Sequence, residues 1–220
     1  MNLTEIYLND LNSETEWGKP KVRYIENWRA IKPFSKTQNF IDIAEEIYSG
    51  RNVWFISDIH FGHTNIIKYC NRPFANATEM NEQIIRNLQD TVGQDDIIIF
   101  VGDIAFTNTE QANNYLSRIP GYKILVIGNH DFHKRVLREL NFDEIHLCHN
   151  FQHNNIDYAL THYPMNNLPL PWINIHGHIH DKHLDTLQHI NVSIEVLNYN
   201  PINFIDLQRI AETRVNSMEV

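Results

Sequence analysis

Cysteine is almost absent from this 220-residue sequence, which contains only Cys70 and Cys148. The two lie far apart and form no CxxC pair, which argues against a disulfide framework and against a zinc site built from thiolates. Long apolar runs are also missing, and none approaches the roughly 20 residues that a membrane span requires. The first residues, MNLTEIYLND, lack the basic and apolar regions of a secretory signal. We therefore predict a cytoplasmic protein with no membrane partner.

The sequence has fewer positively charged than negatively charged residues. The chain has 18 lysines and arginines against 27 aspartates and glutamates, which gives a formal net charge of −9. Such a chain is poorly suited to binding along a phosphate backbone, so we do not expect long nucleic acid as a partner. This charge does not exclude a phosphorylated substrate, because a metal ion or an arginine can meet its phosphate locally. The sequence makes no prediction about the oligomeric state.

The chain divides into a short extension and one domain. Residues 1–38 are polar and aperiodic, with Pro20 and Pro33 interrupting them, and we predict a partly irregular N-terminal extension. Residues 39–220 are predicted to form a single domain. From residue 52 onward, predicted strands alternate with predicted helices, and the later strands lie close together. This order predicts an α/β (α+β) fold of layered sheets covered by helices.

Local signals give the bounds of several elements. A helix is predicted over NFIDIAEEIYSG, with Asn39 as its N-cap, and another over about 79–91, opened by Thr78. A further helix is predicted over roughly 132–140. The HNN triplet at 153–155 predicts a hairpin turn between EIHLC and IDYALTH, and NVSIEVLNY is typical of a last strand.

Histidine, in contrast, is abundant, with 13 residues, and several stand with carboxylates where predicted strands end. The segments concerned are NVWFISDIHFGH, FVGDIA, VIGNHD, ALTHYP and INIHGHIH. Because the carboxyl ends of strands in an α/β sheet meet at one edge, we expect these side chains to lie together. One aspartate after a strand is more often a turn former or a cap. Five strand ends of the same chemical kind favour a metal site.

The donor types indicate the metal chemistry. Carboxylate, imidazole and amide oxygen without thiolate suit Mn²⁺, Fe, Zn²⁺ or Ni²⁺. Asp58 and His60 are two residues apart, so an extended backbone would direct both side chains to the same side. About seven candidate ligands are too many for one tetrahedral ion, which favours two ions sharing a carboxylate. The spacing of His176, His178 and His180 does not by itself select two of the three.

Five motifs carry a resemblance to a known family. SDIHFGH, VGDIA, IGNHD, LTHYP and HGHIH follow one another over residues 58–180 and resemble the signature blocks of the calcineurin-like metallophosphoesterases, which run DxH, GD, GNH(D/E), a lone H and GHxH. HFGHTNIIKYCNRPF further resembles a subgroup of small bacterial and phage predicted phosphoesterases. The resemblance implies a four-layer α-β-β-α sandwich with mixed sheets. The N-terminal fifty residues fall outside it.

The resemblance also implies a dinuclear metal centre and its ligands. The first ion would be held by Asp58, His60 and His180, the second by Asn129, His162 and His178, and Asp103 would bridge the two. Mn²⁺ is the principal candidate, with Fe, Zn²⁺ or Ni²⁺ as alternatives. The GHxH block selects His178 and His180, which leaves His176 as a supporting or structural residue.

Catalytic roles follow from the same resemblance. A hydroxide bridging two metal ions would attack phosphorus while a histidine assists the leaving group. That histidine corresponds to His130, with Asp131 orienting its ring.

Residues after the first block are candidates for binding the substrate. His63, Asn65 and Arg72, at the start and exit of the next helix, are predicted substrate contacts. Tyr163 and Trp172 either stack on a base or pack in the fold.

The predicted reaction is metal-dependent hydrolysis of a phosphodiester with a small or nucleotide-like substrate. Two alternatives stay open. One is a phosphomonoesterase acting on nucleotides or phosphoproteins, and the other is a catalytically weak binding scaffold on the same fold.

Overall fold

The computed structural model describes residues 2–12, 33–37, 39–131 and 139–218 of the chain. The helix predicted over 132–140 falls almost wholly on residues 132–138, which lie outside this described part. The described residues form two β-sheets and six helices. This mixed α/β architecture confirms the predicted fold class.

The first sheet has six strands and a parallel centre. Its strands are β1 (Phe34–Ser35), β2 (Val53–Ile56), β3 (Ile97–Phe100), β4 (Tyr122–Val126), β5 (Glu144–His146) and β10 (Ile202–Asn203). They lie in the order β1-β5-β4-β3-β2-β10. Strands β2 to β5 are parallel, and the edge strands β1 and β10 are antiparallel to their neighbours. Every residue of β3 is buried, as its continuous apolar run indicates.

The second sheet has four strands, β6 (His149–His153), β7 (Ile156–Thr161), β8 (Ile173–His176) and β9 (His189–Asn191), in that spatial order. Asn154 and Asn155 form the predicted hairpin turn, with φ of 48° and 63°, as a two-residue type I′ turn requires. The turn joins β6 to β7, so the predicted first arm, EIHLC, was wrong, since Glu144–His146 belong to the other sheet. The predicted last strand was also wrong in part, because residues 194–199 form turns.

The helices are α1 (Leu3–Asn12), α2 (Ile43–Tyr48), α3 (Thr64–Tyr69), α4 (Ala77–Thr91), α5 (Thr109–Ser117) and α6 (Phe204–Met218). Two predicted caps were wrong. Asp42, not Asn39, caps α2, because its carboxylate accepts the N–H groups of the first turn. Asn76, not Thr78, caps α4, and its side chain accepts the N–H of Glu79.

Apolar side chains fill the space between and outside the sheets. Alternate residues, such as Phe55 of β2 and Tyr158 of β7, pack together between the two sheets with residues of α6. The opposite faces, such as Ile98 of β3, pack with residues of α4 and α5. This alternation gives the central strands of the first sheet two apolar faces, whereas the face of the second sheet opposite Tyr158 carries polar residues such as Asp157 and Asn174.

Helix α1 belongs to the predicted N-terminal extension but packs on the domain. Leu3, Tyr7, Leu8 and Leu11 are buried against the core. The Tyr7 hydroxyl accepts the N–H of Tyr163 at 3.2 Å, and the Asp10 carboxylate accepts hydrogen bonds from the turn at Asn166 and Asn167. The prediction of a polar, aperiodic extension missed this helix. Among the described residues, no helix is both long enough and apolar enough to cross a membrane.

Candidate metal centre

The carboxyl ends of five strands bring the predicted ligands together. Asp58 and His60 follow β2, Asp103 follows β3, and Asn129 and His130 follow β4. His162 follows β7 and His178 and His180 follow β8 in the second sheet. The site therefore lies where strand ends of both sheets converge.

The backbone at these positions is strained. Five of the predicted ligands have φ in the left-handed region: Asp58 (58°), His60 (55°), Asp103 (56°), His178 (71°) and His180 (52°). The expectation that Asp58 and His60 lie on extended backbone was wrong. Each such residue costs on the order of 1–2 kcal/mol and persists only where its surroundings hold it, a situation concentrated at functional sites.

Glycines let the loops approach one another closely. Gly102 has a φ of 94°, and a Cβ atom there would overlap the ring of His162. A Cβ atom on Gly128 would overlap the Asp103 carboxylate. The glycines of the GD and GN motifs therefore make room for the neighbouring ligands.

Asp58, His60 and His180 form the first group of donors. Their ligand atoms lie within 4.8 Å of one another, and the Nε2 atoms of both histidines are 4.0 Å from Asp58 Oδ1. The other oxygen, Asp58 Oδ2, accepts hydrogen bonds from Ser193 Oγ and from the N–H of His178, both at 2.9 Å. One carboxylate oxygen is thus held by the protein while the other faces the histidines.

Asn129, His162 and His178 form the second group. Asn129 Oδ1 lies 3.0 Å from His162 Nε2 and 3.0 Å from His178 Nδ1. His162 Nδ1 donates to the carbonyl oxygen of Val101 at 2.8 Å, which turns Nε2 toward the site. All three donors therefore point to the same space.

Asp103 lies between the two groups. Its Oδ2 atom is 3.7 Å from His60 Nε2 of the first group and 3.4 Å from His162 Nε2 of the second. Its ligand atom also lies within 4.8 Å of those of Asp58 and His162. This is the position that a carboxylate shared between two cations requires.

Buried polar atoms without a hydrogen-bond partner indicate whether a cation fits between these side chains. Asp58 Oδ1 and both ring nitrogens of His60 are buried, and none has a hydrogen-bond partner among the described residues. Each such buried polar atom costs on the order of 1–3 kcal/mol unless another group satisfies it. A divalent cation beside Asp58 and His60 would satisfy the carboxylate oxygen and the His60 nitrogen that faces it. The donors present therefore fit the metal ions that the motifs imply.

The pKa values reflect the concentration of charge. Burial lowers the pKa of His60 to about 3. Burial also acts to lower the pKa of His162, but the Asp103 carboxylate outweighs it and raises that pKa to about 9. At His180, hydrogen bonds with Cys70 and Glu195 outweigh burial and raise the pKa to about 11. For Asp103, burial is outweighed by His162 and its neighbours, which hold the pKa of the carboxyl well below its usual range.

His130 lies at the edge of the centre. Its side chain is 41% exposed, and Nε2 is 4.0 Å from Asp103 Oδ2. The predicted role of Asp131 as the group that orients this ring was wrong. The Asp131 carboxylate instead accepts the backbone N–H groups of Asp103, Ile104 and Gly128 at 2.8–2.9 Å. Asp131 thus holds the loop that carries Asp103.

A cleft of about 620 Å³ opens beside the centre. It is lined by His60, His63, Ile66, Tyr69, Cys70, Phe106, His130, His178, Ile179, His180, Asp181 and Lys182. His63, a predicted substrate contact, is among these lining residues and stacks on Phe106 with ring centroids 4.3 Å apart. Asn65, another predicted contact, is exposed and does not line the cleft.

Arg72 was wrongly predicted to contact substrate. Its side chain is fully buried and paired with Glu195 at 2.6 Å, because the loop after α3 folds inward beneath Asp58. Glu195 is the polar residue that sequence reasoning missed. It lies in the NVSIEVLNY segment, where assignment to a strand concealed an acidic residue facing the site.

Three other residues lie outside the two donor groups. Tyr163 is buried and packs on His178 with ring centroids 4.0 Å apart, and Trp172 packs against the core. His176 is buried, and its Nδ1 lies 2.8 Å from the carbonyl oxygen of Gly177. The structure thus favours packing for the two aromatic residues.

Residues 51–213 match the family described as Calcineurin-like phosphoesterase. The chain belongs to this family. Uncharacterized protein MJ1445 of Methanocaldococcus jannaschii is 37% identical over 167 residues, which are 70% of this chain and 88% of that protein. The Gene 66 protein of Mycobacterium phage L5 is 36% identical over 84 residues, 36% of this chain and 40% of the phage protein.

A solved structure supports the fold of this calcineurin-like phosphoesterase. The protein of unknown function AQ665 from Aquifex aeolicus matches with a TM-score of 0.61 at 28% identity, over 73% of this chain and 99% of that chain. Family membership and the Asp/His groups together support metal-dependent hydrolysis of a phosphoester.

Proposed function

We propose that this phosphoesterase hydrolyses a phosphodiester of a small, nucleotide-like substrate with the help of two divalent cations. The observation that carries the proposal is the position of Asp103, whose Oδ2 atom faces a histidine of each donor group. Mn²⁺ is the principal candidate, and Fe, Zn²⁺ or Ni²⁺ are alternatives that the same donors accept. Cys70 and Cys148 are free thiols, which supports a reducing, cytoplasmic setting.

The ligand sets are those that the two groups of side chains suggest. Asp58, His60 and His180 would hold one cation, Asn129, His162 and His178 the other, with Asp103 shared. Bound there, two cations would lower the pKa of water and neutralise charge on the phosphoryl oxygens. The protein's part is to keep the carboxylates ionised and to aim the imidazole nitrogens.

His130 is proposed to give a proton to the departing oxygen. Its half-exposed ring lines the cleft next to Asp103, so it can reach a substrate without being buried among the ligands. The backbone N–H of His130 donates to Asp103 Oδ1 at 2.8 Å, which fixes the distance between the two residues. A proton donor at this place assists the leaving group, an effect worth about 10²–10⁴ in rate.

Two features of the cleft favour a diester with a planar group. Tyr69 and Phe106 are 74% and 54% exposed at its wall, and exposed aromatic rings beside a charged centre suit a stacked base. Among the described lining residues, Lys182 is the single lysine or arginine. A dianionic monoester would need more positive charge than a diester, which carries one negative charge.

Initial rates of hydrolysis distinguish the phosphodiesterase from the phosphomonoesterase and from the binding scaffold. We expect the Mn²⁺-loaded protein to hydrolyse bis-p-nitrophenyl phosphate faster than p-nitrophenyl phosphate, and nucleotide diesters faster than either. The reverse order would favour the phosphomonoesterase. A protein that binds Mn²⁺ but turns over neither compound would favour the binding scaffold.

A further inference from the structure

Arg72 is buried among the groups that hold the metal centre. Its Nη2 atom donates to the carbonyl oxygen of Asp58 at 2.6 Å, and Nη1 donates to that of Ile59 at 2.9 Å. Asp58 and His60, on either side of Ile59, both have left-handed φ. The guanidinium therefore holds the turn that presents the first two ligands in its strained conformation.

The same guanidinium holds a carboxylate. Arg72 donates from Nε and Nη2 to Glu195 Oε1 at 2.9 Å and 2.6 Å. Glu195 Oε1 also lies 3.0 Å from His180 Nδ1. A donor bond from Nδ1 to the carboxylate leaves the lone pair on His180 Nε2, which points to Asp58 Oδ1. Three of the proposed ligands of one cation are thus tied to a single arginine.

Burial distinguishes this pair from an ordinary ion pair of the same chain. The Arg72 and Glu195 side chains are 0% and 5% exposed, whereas Arg118 and Glu82 form an equally short pair at 35% and 37% exposure. A buried pair contributes little net stability, because desolvation offsets its attraction. Its position between two ligand-bearing loops therefore points to a role in geometry.

We propose that Arg72 and Glu195 are positioning residues that set the Asp58–His60 turn and the His180 ring for binding one cation. The inference rests on the proposed function, since it assumes a cation at Asp58, His60 and His180. It also explains why Arg72 lies next to the site without lining the cleft.

Calorimetric titration with Mn²⁺ tests this role without using activity. Glu195→Gln removes the charge of Glu195, and Glu82→Gln does the same at the surface pair as a matched control. We expect affinity for one of two Mn²⁺ ions to fall by about 10–100-fold in Glu195→Gln and to stay unchanged in Glu82→Gln. Arg72→Lys should give a similar loss, because lysine lacks the fork that reaches both carbonyls and Glu195.

Two outcomes distinguish a wrong role for Arg72 and Glu195 from the absence of a metal centre. Glu195→Gln could fold, as judged by circular dichroism, and melt at a lower temperature, yet bind both ions with wild-type affinity. That result would show that Arg72 and Glu195 act only on stability, and it would overturn the positioning role. Wild-type protein that binds no Mn²⁺, Zn²⁺ or Ni²⁺ would overturn the proposed function and this inference with it.

Cys70 supplies one more discriminating variant. Donor atoms of Cys70, His180 and Glu195 also lie within 4.8 Å of one another, so Glu195 has an alternative role as a direct ligand. If Cys70→Ser and Glu195→Gln each abolish binding of the same Mn²⁺ ion, the two side chains hold that ion themselves and the positioning role is overturned. Cys70 hydrogen-bonds to His180, and the serine hydroxyl can keep that bond, so we expect Cys70→Ser to lower affinity for one Mn²⁺ ion far less than Glu195→Gln does.

Discussion

The Asp103 carboxylate accepts a hydrogen bond from the backbone N–H of His130, with 2.8 Å between N and Oδ1. The second oxygen, Oδ2, faces His162 and His60 at 3.4 Å and 3.7 Å. One side chain thus sets the place of the proposed proton donor and faces both groups of ligands.

Asp103→Asn should separate the two tasks of this carboxylate. The amide oxygen can still accept the His130 N–H, but the negative charge that the two proposed cations would share is lost. We expect kcat/KM for bis-p-nitrophenyl phosphate to fall by more than about 100-fold, beyond the usual effect of losing a supporting residue near a metal. Asp157→Asn, at a half-buried position near the start of β7, serves as the control. Activity near the wild-type value in Asp103→Asn would show that Asp103 is not part of the metal centre.

His130→Gln should keep the metal ions and slow the reaction. The side chain is not part of either donor group, so Mn²⁺ affinity should change by less than about threefold, while kcat falls by about 10²–10⁴. The loss should be largest for substrates with a basic alkoxide leaving group and smallest for p-nitrophenolate, which leaves without a proton. Equal losses for both leaving groups would contradict the role of a proton donor.

The stability of the metal-free protein should fall as pH rises above about 6.5. The folded-state pKa values of His162 and His180 are raised to about 9 and about 11 from an ordinary 6.5. Their contribution is therefore complete below pH 6.5 and is lost as pH rises through about 9 and beyond. Histidines with lowered pKa, such as His60, are neutral in both states above pH 6.5 and do not oppose this trend.

Thermal melting in EDTA between pH 6.5 and 9 measures the effect. Saturating Mn²⁺ should reverse the slope between pH 6 and 8, because the ligand histidines bind metal only when deprotonated. If the melting temperature of the metal-free protein stays constant or rises over this range, the neighbouring carboxylates do not keep His162 and His180 protonated.

Phe106→Ala should weaken binding of substrates with a planar group. Loss of one stacked base is worth roughly 1–3 kcal/mol, so KM for a nucleotide diester should rise about fivefold or more while kcat changes little. KM for a small dialkyl phosphate should stay the same. Phe40→Ala, which removes a phenylalanine of similar exposure outside the cleft, should have no effect on either substrate. An unchanged KM in Phe106→Ala would show that Phe106 does not stack on the substrate.

The fold class and the cluster of ligands could be predicted because each rests on a local pattern. The apolar run of β3 and the polar residues directly after it are adjacent in the chain, and parallel strands bring their ends to one edge. Helix α1 also had a visible signal, since Leu3, Tyr7, Leu8 and Leu11 follow helical spacing. The surrounding polar residues and the prolines farther on obscured it.

The roles of Asp131, Arg72 and Glu195 depend on contacts that no local pattern contains. Arg72 and Glu195 are 123 residues apart in sequence, and their pairing exists because the loop after α3 meets the turn after β9. Asp131 follows the histidine of a motif, yet backbone N–H groups of two loops occupy its oxygens. Hydrogen bonds between distant loops, rather than motif position, decide what such side chains do.

Anomalous diffraction from crystals soaked in Mn²⁺ shows directly whether Asp103 lies between two cations. We expect two manganese peaks, one bordered by Asp58, His60 and His180 and the other by Asn129, His162 and His178, with the Asp103 carboxylate between them. A single peak that leaves Asp103 without a metal contact, or no peak within these groups, would contradict this expectation.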